Sequence, residues 1–248
     1  MDKSMRQFFI ALNFLTRIPS PVKGDVSQRE IGQSILFYPL VGIVIGGILY
    51  LLAHFLLFFS TDFPSELLAA IILSVWVLIT GGLHLDGLSD SADAWVGGLE
   101  GRDKTLSILK DPNCGPMGVV IIVLVLLLKW TALSYLLKND MSAFLIVVPM
   151  LSRSLILSLF MTTLYVRESG LGSAFLEDLP EETHLWSVLL GTVLLYWLFA
   201  SFFSLLLVIL ALVGLRALMI HRIGGMTGDT IGAAVEISEA VALIALVF

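Results

Sequence analysis

From Leu185 to Leu215 the chain runs for 31 residues without a single charged side chain. A run of that kind is hard to hide in a water-soluble domain and too long for an ordinary core helix. At about 1.5 Å per residue it would form a helix of roughly 46 Å, whereas a hydrocarbon core of about 30 Å needs only some 20 residues. The run predicts either one over-long tilted helix or two short helices turning near Ala200 and Ser201. Other apolar runs predict spans at about 34–59, 66–83, 116–137, 143–165 and 230–248. Composition agrees: 58% of the 248 residues are hydrophobic and 14% charged, against about a quarter charged in ordinary soluble chains. The expected fold is all-α, a polytopic integral membrane helical bundle of about seven transmembrane helices, forming one membrane-embedded domain over 1–248.

The start, "MDKSMRQFFIALNFLTRIPSP", does not read as a cleavable signal, because its apolar stretch is short and Arg17 interrupts the end. Residues 5–18 fit an amphipathic helix lying at the membrane interface. The single cysteine, Cys114, excludes an internal disulfide. With a net charge of -6 and no long basic patch, nucleic acid is not an expected partner, and the lipid bilayer is. Basic residues orient the bundle. If the N-terminus is cytoplasmic and 185–215 is a hairpin, Lys3, Arg6, Arg17, Lys23, Arg29, Arg102, Lys104, Lys110, Arg167, Arg216 and Arg222 all lie inside. Only Lys138 then lies outside, so the positive-inside rule favours the hairpin.

Two polar constellations interrupt this apolar chain. In "GGLHLDGLSDSADAW" (81–95), Asp86, Asp90 and Asp93 stand at i, i+4 and i+7, on one face of a helix at a membrane exit. Three anions beside lipid are costly unless a cation neutralises them. Hard oxygen ligands suit Mg²⁺, which takes few protein carboxylates and shares its shell with water and substrate phosphates. Gly81, Gly82 and Gly87 leave room for backbone or ligand to approach. The plain alternative is a solvated acidic start to a loop. The second constellation is "HRIGGMTGDTIGAAVEISE" (221–239). Its Gly224, Gly225 and Gly228 form a turn able to cradle phosphate oxygens, and Asp229 opens the last helix with Glu236 on the same face. An ordinary N-cap explains Asp229 but not Glu236 and Glu239 inside a span. In the seven-span topology both constellations face the cytoplasm and can build one site.

Other polar residues carry weaker signals. Lys129 and Arg153 lie within spans, where either neutralises phosphates or pairs with a carboxylate. His84 points to a different face from Asp86 and is as well explained by structure as by substrate contact. Lys110 and Asp111 sit in a loop that leads into a helix, and "RESGLG" (167–172) reads as a cytoplasmic turn.

"FLTRIPSP", "GGLHLDGLSDSADAW", "ILKDPNCGPMG", "RESGLGSAF" and "GGMTGDTIGAAVEISE" together resemble the cobalamin synthase family, the bacterial adenosylcobinamide-GDP ribazoletransferases. The matching stretches occur in the family's order. The family pattern has Ala, Thr and Gly where this chain has Ser89, Ser91 and Ala94, and Ser where it has Pro112; every carboxylate is spared. The resemblance implies an Mg²⁺-dependent enzyme of the cytoplasmic (inner) membrane. It would join adenosylcobinamide-GDP to alpha-ribazole or its 5'-phosphate, releasing GMP, with a homo-oligomer neither required nor forbidden. Carried onto this chain, catalysis falls to Asp86, Asp90 and Asp229, and metal binding to Asp86, Asp90, Asp93, Asp229 and Glu236. Substrate contacts fall to His84, Lys110, Arg153, Gly225 and Gly228. Two other readings compete. A CDP-alcohol phosphatidyltransferase would carry an Ala-Arg pair shortly after Asp86-Gly87, which is absent here. An ion-coupled transporter using Glu236, Glu239, Lys129 and Arg153 would show paired halves, and the sequence shows no such symmetry.

Overall fold

The computed structural model describes residues 2–60, 62–167 and 179–248. Its regular elements are α1 (Lys3–Leu15), α2 (Gln28–Ser34), α3 (Tyr38–Phe59), α4 (Ser65–Thr80), α5 (Leu83–Gly97), α6 (Arg102–Ile108), α7 (Pro116–Lys138), α8 (Phe144–Thr162), α9 (Glu182–Phe199), α10 (Phe202–Ile223) and α11 (Gly228–Ala245). A short 3-10 turn, Ile35–Phe37, joins α2 to α3. No strand forms among the described residues, so the all-α expectation stands.

Among the described residues, five stretches are long and apolar enough to cross a membrane: Gln28–Phe59, α7, α8, α9 and α10. The pair α4 and α5 makes a sixth only as a broken span, bent by 88°. About seven were expected. The remaining one, α11, is not apolar enough on its own because it carries Asp229, Glu236 and Glu239. The 31-residue run resolves into α9 and α10. Ala200 is extended (φ -112, ψ 172) and ends α9. Ser201 then caps α10 by accepting from the Ser204 N–H at 3.1 Å. The Tyr196 hydroxyl meets Ser204 Oγ across the break at 2.7 Å. The outward faces of α9 and α10 leave Leu190, Leu198, Phe202, Leu210 and Val213 exposed, as a lipid-facing wall requires.

Close helix contact is set by glycine. A Cβ on Gly42 would stand 2.4 Å from the Pro149 carbonyl oxygen, and one on Gly46 would stand 2.3 Å from that of Leu145. These two glycines, one turn apart, let α3 lie backbone to backbone on α8. Gly81 (φ 63) and Gly82 (φ 69) are both left-handed, and this pair makes the sharp turn from α4 into α5. Thus α5 runs across the end of α4 instead of extending it. The N-terminal helix α1 begins two residues earlier and ends three residues sooner than the predicted 5–18, and it buries Ile10, Ala11, Leu12 and Leu15. Arg6 on it reaches Glu30 at 2.6 Å, inside the Ser27–Glu30 capping box of α2.

Candidate active site

The two polar constellations meet where α5 crosses α11. A Cβ on Gly87 would fall 2.6 Å from the Asp229 carbonyl oxygen, and one on Gly232 would fall 3.3 Å from the His84 backbone. Bare glycine on both helices lets them touch, and this places Asp86 and Asp90 beside Asp229. Asp86 and Asp229 line a recess of about 190 Å³ together with Arg167, His84, Gly228 and Tyr165; Asp90 does not line it but feels the charges of both. The carboxylates feel one another. Burial, then the charges of Asp86, Asp229 and Asp93, push Asp90 up to about 6, with Arg167 pulling the other way. Asp90 lies on α5, past the 88° bend that ends α4. It reports a site with more negative charge than the protein itself balances.

Arg167 brings a cation into this recess, although in sequence it belongs to a stretch that reads only as a turn. Its Nη2 stands 2.7 Å from Asp229 Oδ2 and donates to the Leu109 carbonyl at 2.5 Å. The segment before it is pinned by two backbone hydrogen bonds, Val166 N–H to the Met226 carbonyl at 2.9 Å and Met226 N–H to that of Leu164 at 2.7 Å. Gly225 makes this pairing feasible, since a Cβ there would lie 2.2 Å from the Leu164 oxygen. Gly225 therefore aligns the arm that carries Arg167, a different role from the expected phosphate cradle. Gly228 does line the recess, where a Cβ would stand 3.8 Å from the Tyr165 hydroxyl. The rest of the "RESGLG" stretch, 168–172, lies outside the described residues.

Several expected site residues are occupied elsewhere. Asp93 points its carboxylate at the start of α7, where Oδ2 accepts from Gly115 N–H at 2.7 Å and Oδ1 from Gly118 N–H at 3.0 Å. It caps a helix whose own N-cap, Gly115, has no side chain to do so. Both its oxygens are engaged, so its placement is that of a cap and not of a free metal ligand. Glu236, two turns deeper along α11 than Asp229, is likewise not a site carboxylate. Its Oε2 accepts from Lys129 Nζ at 2.5 Å, and the same ammonium reaches Glu239 Oε2 at 2.5 Å. Arg153, fully buried, pairs with Glu239 and donates to Ser152 Oγ at 2.8 Å. Two cations and two anions thus form a buried network joining α7, α8 and α11. The choice left open for Lys129 and Arg153 falls to pairing, because an unpaired charge at this depth would be far costlier. Arg153 does not line the recess. Lys110 is exposed in its loop, and nothing in the structure brings it to the carboxylates.

Among the described residues, no three His, Cys, Asp or Glu side chains stand close enough to enclose an ion as they are placed. The donor set nonetheless suits a hard divalent cation: Asp86, Asp90 and Asp229 offer only oxygen, and their mutual repulsion on Asp90 is what such an ion would relieve.

A helical membrane bundle with a carboxylate cluster and one guanidinium around a recess defines a membrane-embedded enzyme for an anionic substrate. The chain belongs to the cobalamin-5-phosphate synthase family, whose profile matches residues 7–247. It is 47% identical over 246 residues to the adenosylcobinamide-GDP ribazoletransferase of Acinetobacter baumannii, covering 98% of this chain and 97% of that one. The enzyme of the same name from Pseudomonas putida is 46% identical over 242 residues, with 98% of each chain covered. That from Pseudomonas fluorescens is 46% identical over 245 residues, covering 98% of this chain and 99% of that one. No solved structure matches the chain.

Proposed function

We propose that the chain is an adenosylcobinamide-GDP ribazoletransferase of the cytoplasmic membrane that depends on Mg²⁺ and opens its site to the cytoplasm. The observation that carries the reading is the meeting of Asp86 on α5 with Asp229 on α11 in one recess that also holds Arg167, with Asp90 within reach of both charges. In the reaction a hydroxyl of ribazole attacks the phosphorus bonded to cobinamide, the bond from that phosphorus to the bridging oxygen breaks, and GMP leaves with the electron pair. The hydroxyl proton passes to a carboxylate, for which Asp229 at the recess and its neighbour Asp86 are placed. Arg167, already at the rim, shifts from Asp229 onto a phosphate oxygen. Phosphoryl transfer asks for charge neutralisation and positioning more than covalent chemistry, and these side chains supply both. Mg²⁺ held by Asp86, Asp90 and Asp229 would neutralise the diphosphate. Basic residues of the predicted cytoplasmic loops support the orientation.

The reading is tested with protein purified into lipid nanodiscs, adenosylcobinamide-GDP, alpha-ribazole and Mg²⁺. GMP release that needs all three, and that chelation with EDTA abolishes, is expected. GMP release unaffected by EDTA would remove the metal from the reading, and its absence with every acceptor would remove the reaction.

A further inference from the structure

The recess that carries the carboxylates has two chemically different ends. Its rim holds Asp86, Asp229, Gly228 and Arg167, of which Asp86 and Gly228 are exposed. Its interior is walled by Leu15, Tyr38, Ile156 and Phe160, all buried, with Phe14 and Tyr165 alongside. The Phe14 and Tyr38 rings stack there at 6.1 Å between centroids and 15° between planes. The polar atoms of this wall are the hydroxyls of Tyr38 and Tyr165 and the ring of His84. His84 is 4% exposed, and its buried Nδ1 has no hydrogen-bond partner. A buried ring nitrogen left unpaired is costly, and in native proteins such groups are nearly always satisfied. The interior therefore suits a flat, largely apolar group that offers the His84 ring a hydrogen-bonding atom.

We propose that this aromatic interior is the subsite for the base of the acceptor nucleoside, with His84 Nδ1–H donating to the ring nitrogen of a fused two-ring base. The proposal rests on the transferase reading and assigns its second substrate a place. Two substrates bear a planar base, and the chemistry of the wall separates them. Guanine presents an amine, a carbonyl and several ring nitrogens, most of which would be stranded against Ile156, Phe160 and Leu15. A benzimidazole-like base presents one free ring nitrogen and otherwise apolar edges, which match the unpartnered His84 Nδ1 among walls that are mostly aromatic and aliphatic. About 190 Å³ has room for such a base and none for a corrinoid ring, which must stay outside the rim. With the base inside, its ribose projects towards Asp86 and Asp229, where a hydroxyl would meet the phosphate. His84 thereby becomes a specificity-determining residue for the acceptor and takes no part in proton transfer.

The test measures KM for each substrate separately, using GMP release in nanodiscs. His84→Ala should raise KM for alpha-ribazole about 10-fold or more and leave that for adenosylcobinamide-GDP within 2-fold. His84→Asn, which keeps a donor near the Nδ1 position, should recover most of the loss. A riboside whose base lacks the ring nitrogen, an indole riboside, should be a poor acceptor for the wild type but equal to the benzimidazole riboside in His84→Ala. Phe160→Ala provides the same reading at a second wall position if His84→Ala does not accumulate. Acceptor KM unchanged in both variants, or a rise confined to adenosylcobinamide-GDP, would overturn the assignment. Because the wild-type protein is assayed alongside, GMP release there keeps the transferase reading intact even when the base subsite fails.

Discussion

Asp90 and Asp93 sit one helical turn apart, yet their surroundings separate them. Asp90 faces other carboxylates and is raised to about 6; Asp93 faces two N–H groups. If the first is a ligand and the second a cap, their substitutions differ in kind. Asp86→Asn, Asp90→Asn and Asp229→Asn should each lower the rate of GMP release about 10²–10³-fold, the usual cost of one oriented electrostatic contact at a transition state. Asp93→Asn keeps one acceptor oxygen and should leave the Mg²⁺ dependence unchanged. Asp93→Ala should cost about 1–2 kcal/mol of stability, as lost caps do, read as a lower unfolding midpoint. Protonation competes with a cation at Asp90. The carboxyl is neutral below about 6 in the metal-free protein, so apparent Mg²⁺ affinity should weaken as pH falls through that value and level off above it. A flat affinity from pH 5 to 8 would show that Asp90 binds no metal. Arg167→Gln should raise KM for adenosylcobinamide-GDP about 10-fold through a lost charged hydrogen bond, without weakening Mg²⁺ binding, since the ion competes with this guanidinium for Asp229.

At the scale of helices, contact between α5 and α11 creates the site, and Gly87 permits it. Gly87→Ala would drive a methyl into the Asp229 backbone. Overpacking of this kind costs roughly 1–3 kcal/mol, and here it should also lower turnover by spreading the aspartates. Normal turnover in a folded Gly87→Ala protein would show that α5 and α11 need no such approach. The periodicity of Asp86 and Asp90 was visible in the sequence because spacing on one helix is a local property. That Gly87 leaves room for a backbone was visible too, but which backbone it admits, and the roles of Gly115 and Gly225, were not, because each is defined by a partner element far along the chain. Asp93 looked like a third ligand for the same reason: its N–H partners lie 22 and 25 residues away. Arg167 had one available signal. It is a lone cation after a span, in a topology that gathers acidic clusters on the same side.

For the whole molecule, apolar runs made the membrane bundle legible, and the break at Ala200–Ser201 appeared where a run too long for one helix required it. The count was less legible, since α4 turns sharply at Gly81–Gly82 and α11 is acidic. The placement of Glu236 and Glu239 was unreadable without knowing that Lys129 and Arg153 face them. That network predicts a stability effect. Lys129→Met leaves Glu236 and part of Glu239 buried without their cation and should cost about 3–5 kcal/mol. Adding Glu236→Gln to Lys129→Met should restore part of it. Equal stability of the single and double variants would mean that the network holds no fixed charge balance. In a Cys114→Ser background, Ser201→Cys should react with an impermeant maleimide from outside the cell, and Lys104→Cys only after the cytoplasmic face is opened.

Whether α5 and α11 contribute to one cation site is most directly measured by binding, apart from turnover. Mn²⁺ can stand in for Mg²⁺, and free Mn²⁺ can be followed by electron paramagnetic resonance in nanodisc samples of the wild type, Asp86→Asn, Asp229→Asn and Asp93→Asn. One site shared by the two helices predicts a weakening of about 10-fold or more in both Asp86→Asn and Asp229→Asn, with little change in Asp93→Asn. Full-strength binding in Asp229→Asn, with loss confined to substitutions on α5, would contradict it.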